Sequence, residues 1–173
     1  MNCAACDIIE KKKDIIFEND VASAVLVSTP ATPGHVTIFP KEHQPIIEKI
    51  SDDVFGSMFL AANLLAKASF EVLGAYGTNI LIKNGLPAGQ KIPHVQIEVI
   101  PRFEDDGLQL LWQPTKASEE ELNSVQEKIQ AELERKEEKM VEEKKKEEVK
   151  EVPKEEELPE EENYMIKQLQ RLP

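Results

Sequence analysis

Cysteine and histidine are both scarce in this chain of 173 residues, which has two cysteines and three histidines. The cysteines are Cys3 and Cys6, so they are separated by two residues. In a reducing compartment, two thiols at this spacing favour metal binding or redox chemistry over a structural disulfide. Any thiol chemistry of this chain is therefore confined to its first six residues.

Long apolar runs are also missing. No stretch approaches the roughly 18 residues needed to span a bilayer, so no interaction with a membrane is expected. The first residues lack the apolar core of a secretory signal, which makes a cytoplasmic location the default expectation.

Positive charge is in short supply, because the chain has 21 basic and 33 acidic residues and a net charge of −12. Non-specific binding of DNA or RNA is excluded on this ground, since neutralising phosphates requires clustered Lys and Arg. A compact basic pocket could still hold a small phosphorylated ligand. The charge is uneven: residues 119–173 contain 19 of the acidic and 11 of the basic residues. This division indicates an ordinary globular domain followed by a highly charged tail.

The order of the predicted elements favours an α+β fold. Alternating or apolar runs predict strands at 15–20, 21–27, 35–39, 78–83 and 94–100. A long apolar stripe predicts a helix from Ser51 to about Leu73, with Gly74 at its end. The order β-β-β-α-β-β indicates an antiparallel sheet with one main helix.

The tail divides into three predicted segments after a globular domain of residues 1–115. Ser118 and Glu121 form a capping-box pattern, which predicts a charged helix over 116–149. Prolines among glutamates predict an acidic disordered linker over 150–162. Residues 163–173 regain apolar spacing, which is typical either of a short amphipathic peptide that docks on its own domain or a protein partner, or of a frayed end.

The segment Pro93–Arg102 is the most informative part of the chain. Read as a strand, it places Val95, Ile97 and Val99 on one apolar face. The other face receives four residues, three of them polar: His94, Gln96, Glu98 and Ile100. A half-buried strand with a polar face toward water would show the same alternation. The flexible loop 84–90 leads into this polar face, which favours a functional site there.

A zinc site is one use for the scarce sulfur and imidazole groups. Tetrahedral zinc takes four N or S ligands, and Cys3, Cys6 and two of the three histidines would complete a closed structural site. Spacing alone does not choose among His35, His43 and His94, which lie far apart in sequence. A lone histidine is more often a hydrogen-bonded structural group than a ligand.

Three segments together resemble the histidine triad (HIT) family of nucleotide-binding proteins, in the branch with an N-terminal Cys-x-x-Cys. They are 3–9, 30–43 and 84–102. The resemblance extends over residues 3–114 and does not include the tail. It implies a HIT-like α+β fold with a five-stranded antiparallel sheet, one long and one short helix, and usually a homodimer. It also implies structural Zn²⁺ on Cys3, Cys6, His43 and His94.

The catalytic part of the family pattern is altered in this sequence. In the family, three alternating histidines form the triad, and the matching positions here are His94, Gln96 and Glu98. The resemblance implies that the middle histidine attacks the α-phosphate, and this chain has Gln96 at that position. A carboxamide nitrogen is not a useful nucleophile, because its lone pair is delocalised into the carbonyl. The third triad position is Glu98, whose carboxylate would repel a phosphate. The position of the family's ribose-binding residue is Val27, which offers no side-chain hydrogen bond.

Other residues match the family's phosphate-binding and supporting positions. The resemblance implies that the loop 84–90 and its flanking lysines, Lys83 and Lys91, contact the phosphates. It also implies that His35 supports the triad through a hydrogen bond to Gln96 or Glu98. Both lysines could equally be solvated, or paired with Glu98 and nearby acids. The candidate nucleotide- and phosphate-binding residues are Lys83, Asn84, Gly85, Gly89, Gln90, Lys91 and Gln96.

Three functions are consistent with this pattern. The first is a zinc-stabilised module that binds a nucleotide or another phosphorylated small molecule without the usual catalysis. The second is a nucleotide hydrolase or transferase in which Glu98 is a general base, Gln96 orients the phosphate and a lysine stabilises charge. The third is a dimeric scaffold whose tail recruits a protein partner.

Overall fold

A computed structural model describes residues 3–151, and their side chains up to residue 141. Three helices and five strands follow one another, with short 3₁₀ turns at Ile47–Lys49 and Leu86–Ala88. The elements are α1 (Ala4–Lys11), β1 (Ile15–Glu18), β2 (Ala22–Leu26), β3 (Val36–Pro40), α2 (Asp52–Leu73), β4 (Gly77–Ile82), β5 (Ile97–Arg102) and α3 (Glu119–Glu151).

The five strands form one antiparallel sheet in the order β1-β2-β3-β5-β4. This arrangement confirms the expected α+β class. The expected short helix is α1, with 8 residues, and the expected long helix of the globular part is α2, with 22. Because β5 lies between β3 and β4, residues that are far apart in the sequence meet in the middle of the sheet.

One face of the sheet packs against α2 and forms the main core. Small residues of β2 allow the helix to approach closely, and branched residues of β3 and β5 fill the space beneath it. The expected apolar face of the Pro93–Arg102 segment is confirmed, since Val95, Ile97 and Val99 are buried here. The buried core residues are Ala22, Ala24, Val36, Ile38, Met58, Ala61, Ala62, Ala66, Val95, Ile97 and Val99.

The opposite face of the sheet is covered at one end by α1. Val25 of β2 and Phe39 of β3 lie buried in a second cluster with Cys3 and Ala5. This contact fixes the N-terminal segment over the central strands, and it is what brings the two cysteines to the sheet.

The strand expected at 94–100 is observed at Ile97–Arg102, so its start was placed wrongly. The preceding backbone has other partners: the His94 N–H donates to the Ile92 carbonyl, and the Val95 N–H to the Gln44 carbonyl. The strand expected at 35–39 likewise runs from Val36 to Pro40. Pro40 is the last residue of this strand, where proline is tolerated because a terminal strand residue needs no further ladder donor.

The ends of α2 agree with the expected bounds. Ser51 is the N-cap residue, but its side chain makes no capping hydrogen bond. At the other end Gly74 adopts a left-handed conformation with φ of 64°. Glycine is favoured there because it has no Cβ to clash with the backbone.

The chain divides into two units at the junction of Leu111 and Trp112. In the second unit the Ser118 hydroxyl accepts the Glu121 N–H at 3.3 Å, and the Glu121 carboxylate accepts the Ser118 N–H at 2.8 Å. This is the expected capping box. The helix extends to Glu151, so the first two residues of the expected linker 150–162 are helical. The rest of that linker and the segment 163–173 lie outside the described residues. Within the described part of the chain, no helix is both long and apolar enough to cross a membrane.

Candidate functional site

Four sulfur and nitrogen ligands converge where α1 meets the sheet. The Cys6 Sγ lies 3.3 Å from the Nδ1 of His43 and 3.6 Å from the Nδ1 of His94. The Cys3 Sγ lies 3.5 Å from the same nitrogen of His94. All four ligand atoms of Cys3, Cys6, His43 and His94 lie within 4.8 Å of one another. The structure thus selects His43 and His94 from the three histidines.

The chain brings these ligands together through three elements. Cys3 is the N-cap of α1 and Cys6 lies in its first turn, so the two side chains share one face of the helix. His43 follows the end of β3, and His94 lies three residues before β5. Since β3 and β5 are neighbours in the sheet, their adjoining ends meet beneath α1.

The orientation of His94 is set by the backbone. Its Nε2 lies 2.9 Å from the Pro40 carbonyl oxygen, so Nε2 carries the hydrogen and Nδ1 keeps its lone pair. The ring is fully buried, and burial lowers the pKa of His94 while the Pro40 bond partly offsets that change. A neutral imidazole with a free Nδ1 is the form that binds metal.

The donor set fits zinc. Bond lengths of about 2.3 Å to sulfur and about 2.0–2.1 Å to nitrogen place S and N ligands of a tetrahedral ion about 3.6 Å apart. The observed S–N separations of 3.3, 3.5 and 3.6 Å match that spacing. Burial and the neighbouring Cys3 raise the pKa of the Cys6 thiol, and a bound cation would reverse this change by deprotonating it. Four protein ligands leave no open coordination position, which is characteristic of a structural site.

A second polar group surrounds Glu98, on the sheet face opposite the main core. The Lys83 ammonium lies 2.9 Å from one Glu98 oxygen and 3.2 Å from the other. Gln96 donates a hydrogen bond of 3.0 Å from Nε2 to Oε1 of the same carboxylate. Glu98 is 9% exposed. Both of its oxygens are therefore engaged, and Lys83 is an ion-pair partner of Glu98 rather than a solvated lysine.

His35 lies near this carboxylate but does not bond to it. The Ala31 N–H donates to the His35 Nδ1 at 3.2 Å, so the neutral ring carries its hydrogen on Nε2. That Nε2 is buried and has no partner in the part of the chain that the structure describes. The expected hydrogen bond from His35 to Gln96 or Glu98 is therefore wrong. Burial lowers the pKa of His35, while the charge of Glu98 raises it and that of Lys83 lowers it further.

The loop before the triad segment is held by its own polar groups. The Gln90 side chain accepts the Gly85 N–H at 2.7 Å and donates to the carbonyls of Pro45 and Ile92 at 2.7 and 2.9 Å. Asn84 accepts the Ile47 N–H and donates to Glu48. These bonds fix the loop against the 3₁₀ turn that follows β3.

The glycines of this loop are used for conformation. Gly85 and Gly89 both have φ of 86°, and the Gly89 N–H donates to the Leu86 carbonyl. Their amide hydrogens are thus engaged within the loop, while the side chains of Asn84 and Gln90 also bond to residues outside it. Lys91 is exposed and lines a cavity of about 310 Å³ beside the loop. Of the expected phosphate-binding residues, Lys83 and Gln96 are the ones that lie at Glu98.

A cavity of about 210 Å³ lies on the same sheet face. Val27 and Thr37 line it, and Thr37 is the register partner of Glu98 in the β3–β5 pair. This volume is below the roughly 300 Å³ at which ligand pockets usually begin. The cavity residues are Ile8, Lys13, Asp14, Val25, Leu26, Val27, Ser28, Thr37 and Phe39.

Sequence reasoning missed Lys13, Asp14 and Thr37 as lining residues. Lys13 and Asp14 follow α1 in a turn where Asp14 has φ of 57°, a conformation that a non-glycine residue adopts rarely. No motif marks them. The relevance of Thr37 depends on the register between β3 and β5, which joins residues 61 positions apart and is not readable from a single sequence.

Comparison with known families gives one assignment. The profile of the HIT domain matches residues 9–105, which is more than half of the chain. Among related proteins, an adenylylsulfatase from Arabidopsis thaliana is 34% identical over 109 residues, 62% of this chain. This chain spans only 55% of the length of that protein. An adenosine 5'-monophosphoramidase from Schizosaccharomyces pombe is 30% identical over 138 residues, covering 77% of this chain and 99% of its own length.

Solved structures share the same fold. A HIT family member from Bacillus subtilis superposes with a TM-score of 0.70 and 27% identity, covering 76% of this chain and 96% of its own. A zinc-bound histidine triad family protein from Mycobacterium smegmatis gives a TM-score of 0.60 and 29% identity, covering 66% and 85%.

Proposed function

Since this chain belongs to the HIT domain family, we propose that it is a zinc-containing member that binds a nucleotide or a similar small molecule without histidine-nucleophile catalysis. The observation that carries this proposal is the contrast between two neighbouring clusters. The Cys₂His₂ cluster has all four ligands within 4.8 Å, whereas the position of the nucleophile holds Gln96, bonded to Glu98.

Zinc would have a structural role in this protein. Cys3, Cys6, His43 and His94 would hold it, and they would tie α1 to the ends of β3 and β5. The M. smegmatis relative is a zinc-bound protein of the same family, which supports this choice of metal. A bound ion supplies folding free energy, because the ligand set does not exist in the unfolded chain.

The chemistry of Gln96 and Glu98 argues for binding rather than turnover. Catalysis through a nucleotidyl-imidazole requires a nucleophilic ring nitrogen, and a carboxamide supplies none. The alternative mechanism needs Glu98 as a general base for water. Lys83 and Gln96 already bond to both of its oxygens, so a water molecule would share this carboxylate with them. An enzyme acting through Glu98 is therefore the second candidate.

The cavity beside Thr37 and Val27 is the proposed place for the ring system of the ligand. It lies on the sheet face that carries Glu98, and the relatives named above are an adenylylsulfatase and an adenosine 5'-monophosphoramidase. The S. pombe relative is matched over 99% of its length, which makes a nucleoside-containing ligand the first choice.

Two further parts of the proposal concern assembly. β4 is one of the two end strands of the sheet, the other being β1, so its outer edge has no partner strand in the described chain. An exposed edge pairs readily with a second copy, and a homodimer through β4 is proposed.

The long helix α3 presents Leu122, Ile129 and Leu133 at 54–58% exposure, which suits a protein partner for the tail. A dimeric scaffold whose tail recruits a partner is thus compatible with a binding domain.

Titration of purified protein with the four nucleosides and their 5'-monophosphates tests the binding proposal. Saturable binding of one of them below millimolar concentration is expected, without turnover of that ligand. Absence of binding by every compound at millimolar concentration would overturn it. Hydrolysis of a dinucleoside polyphosphate or a nucleoside phosphoramidate that is lost in Glu98→Gln would favour the enzymatic alternative.

A further inference from the structure

An apolar stripe runs along α3 and is exposed in the described part of the chain. It consists of five residues that are 53–58% exposed: Leu122, Val125, Ile129, Leu133 and Met140. Leu122 and Met140 are 18 residues apart, which is five turns at about 3.6 residues per turn, so the stripe stays on one side of the helix. Its length is about 27 Å at a rise of about 1.5 Å per residue. A sustained apolar stripe on an otherwise charged helix is typical of a surface that packs against another helix.

The charges of α3 are distributed unevenly along the same helix. Residues 119–127 include four glutamates and no basic residue, which gives this end a net charge of −4. Residues 128–141 include four acidic and four basic residues and have no net charge. The cations of residues 119–141 therefore all lie in the second stretch: Lys128, Arg135, Lys136 and Lys139.

This distribution favours a second copy of α3 that runs in the opposite direction. A parallel copy would place the two −4 ends side by side, where they repel each other. An antiparallel copy brings each −4 end to the stretch that has the cations. The apolar residues allow this register, because the pairs Leu122–Met140 and Ile129–Leu133 are both centred on residue 131. Each residue of a pair would then pack against the other residue of that pair in the second copy.

The residues beside the stripe agree with this register. Glu121 and Lys139 are also five turns apart, so they lie on the same side of the stripe. A two-fold axis through an antiparallel pair keeps these flanks together, and Glu121 of each copy would lie within about one turn of Lys139 of the other. The Ser118 N–H and hydroxyl both bond to Oε2 of Glu121, so the other oxygen can accept from a lysine.

We propose that α3 is a self-association element whose apolar stripe packs against the same stripe of a second copy in antiparallel orientation. The inference rests on the part of the proposed function that gives the tail a protein partner, and it names that partner. It does not depend on nucleotide binding or on the β4 edge. The interface is isologous, since both copies bury the same surface and contribute the same ion pair.

Sedimentation equilibrium of the full chain tests whether the stripe drives association. Replacing Ile129 and Leu133 together by glutamate puts two charges into the stripe and should weaken self-association at least about tenfold, because buried charges without a partner are costly. This applies whether α3 joins two free chains or two halves of an existing dimer.

The matched control is Ser124→Glu with Ala131→Glu. Ala131 is nine residues from Leu122 and from Met140, or two and a half turns, and Ser124 lies about two turns before Ala131. Both residues are exposed and lie on the side opposite the stripe. The control adds the same two charges to the same helix and should associate as wild type does.

Cross-linking of wild-type protein tests the direction. Unlabelled and ¹⁵N-labelled chains are unfolded together in urea, refolded with zinc and coupled with a carbodiimide, which joins glutamate to lysine. Mass spectrometry of mixed-isotope peptides identifies links between copies. Such links are expected between residues 119–127 of one copy and Lys136 or Lys139 of the other. Links within one chain between Lys128 and Glu132, one turn apart, show that the reagent has reacted.

The outcomes separate this inference from the rest of the proposed function. Equal association of the stripe variant and the control would overturn the inference, and so would the absence of links between α3 helices. Links that join like-numbered stretches of two copies would overturn the antiparallel direction. Links from α3 to the sheet of another copy would show a different occupant and would also overturn it. If the stripe variant or the refolded mixture does not fold, the other measurement decides. Nucleotide titration is unaffected by any of these results.

Discussion

The Nε2 of His94 lies 2.9 Å from the carbonyl oxygen of Pro40, and this contact turns the other ring nitrogen toward the two cysteines. A proline at the end of β3 thus determines the tautomer of His94, a candidate metal ligand that precedes β5. The ligand and its orienting carbonyl are 54 residues apart in the chain. The end of β3 therefore both pairs within the sheet and orients the imidazole ring of His94.

The zinc assignment gives the first prediction. His43→Gln should remove most of the metal and lower the thermal unfolding midpoint by at least about 5 °C, because metal binding contributes to folding free energy. The expected wild-type content is about one zinc per chain. Metal analysis by plasma mass spectrometry and a thermal melt measure both effects.

His35→Gln is the matched control for that change, since His35 lies outside the ligand cluster. It should retain full zinc content. Equal zinc in the two variants, or full occupancy after both Cys3 and Cys6 are replaced by serine, would contradict the assignment.

The ion pair between Lys83 and Glu98 gives the second prediction. Lys83→Gln should reduce the free energy of unfolding by about 1–3 kcal/mol, because it leaves a buried carboxylate without its cation. Adding Glu98→Gln should restore part of that loss, since the charge that needed the cation is then gone. Urea denaturation of the two single variants and the double variant measures the coupling. Strictly additive effects would mean that the pair makes no net contribution.

Arg102 and Asp106 give a pH-dependent prediction. The Arg102 guanidinium, helped by the Leu108 N–H, holds the pKa of Asp106 well below its usual range. A carboxyl group whose pKa is lowered by folding stabilises the protein above its unfolded pKa, and this contribution is lost as the pH falls below about 4. Asp106→Asn should therefore destabilise the protein at pH 7, and the difference from wild type should diminish toward pH 2.5.

Thermal melts of both proteins from pH 7 to pH 2.5 test this sign. Glu104→Gln, two residues away in an exposed position, should show no such trend. A difference between Asp106→Asn and wild type that grows as the pH falls would contradict the predicted direction.

The capping box at the start of α3 gives the fourth prediction. Ser118 and Glu121 satisfy each other's backbone N–H groups, so Ser118→Ala should cost about 1 kcal/mol of helix stability. Amide hydrogen exchange should accelerate in the first turn of the helix and remain unchanged in the sheet. Ser124→Ala, within the helix, is the control. Equal exchange in the first turn of both variants would contradict a capping role for Ser118.

Much of this protein was determined by its sequence alone. Local patterns predicted five strands, the long helix and the capping box at Ser118, because the periodicity and cap chemistry of such elements depend on residues a few positions apart. The resemblance to a known family also named four candidate zinc ligands, whose ligand atoms lie within 4.8 Å of one another in the structure.

The contacts of the residues at the site depend on the tertiary structure. The pairing of Lys83 with Glu98, the engaged amides of the 84–90 loop and the unpartnered Nε2 of His35 all depend on which strands are neighbours and in what register. The true start of β5 depended on long-range backbone partners as well. A sequence shows which groups are available, but hydrogen bonds between residues tens of positions apart exist only once the sheet is formed.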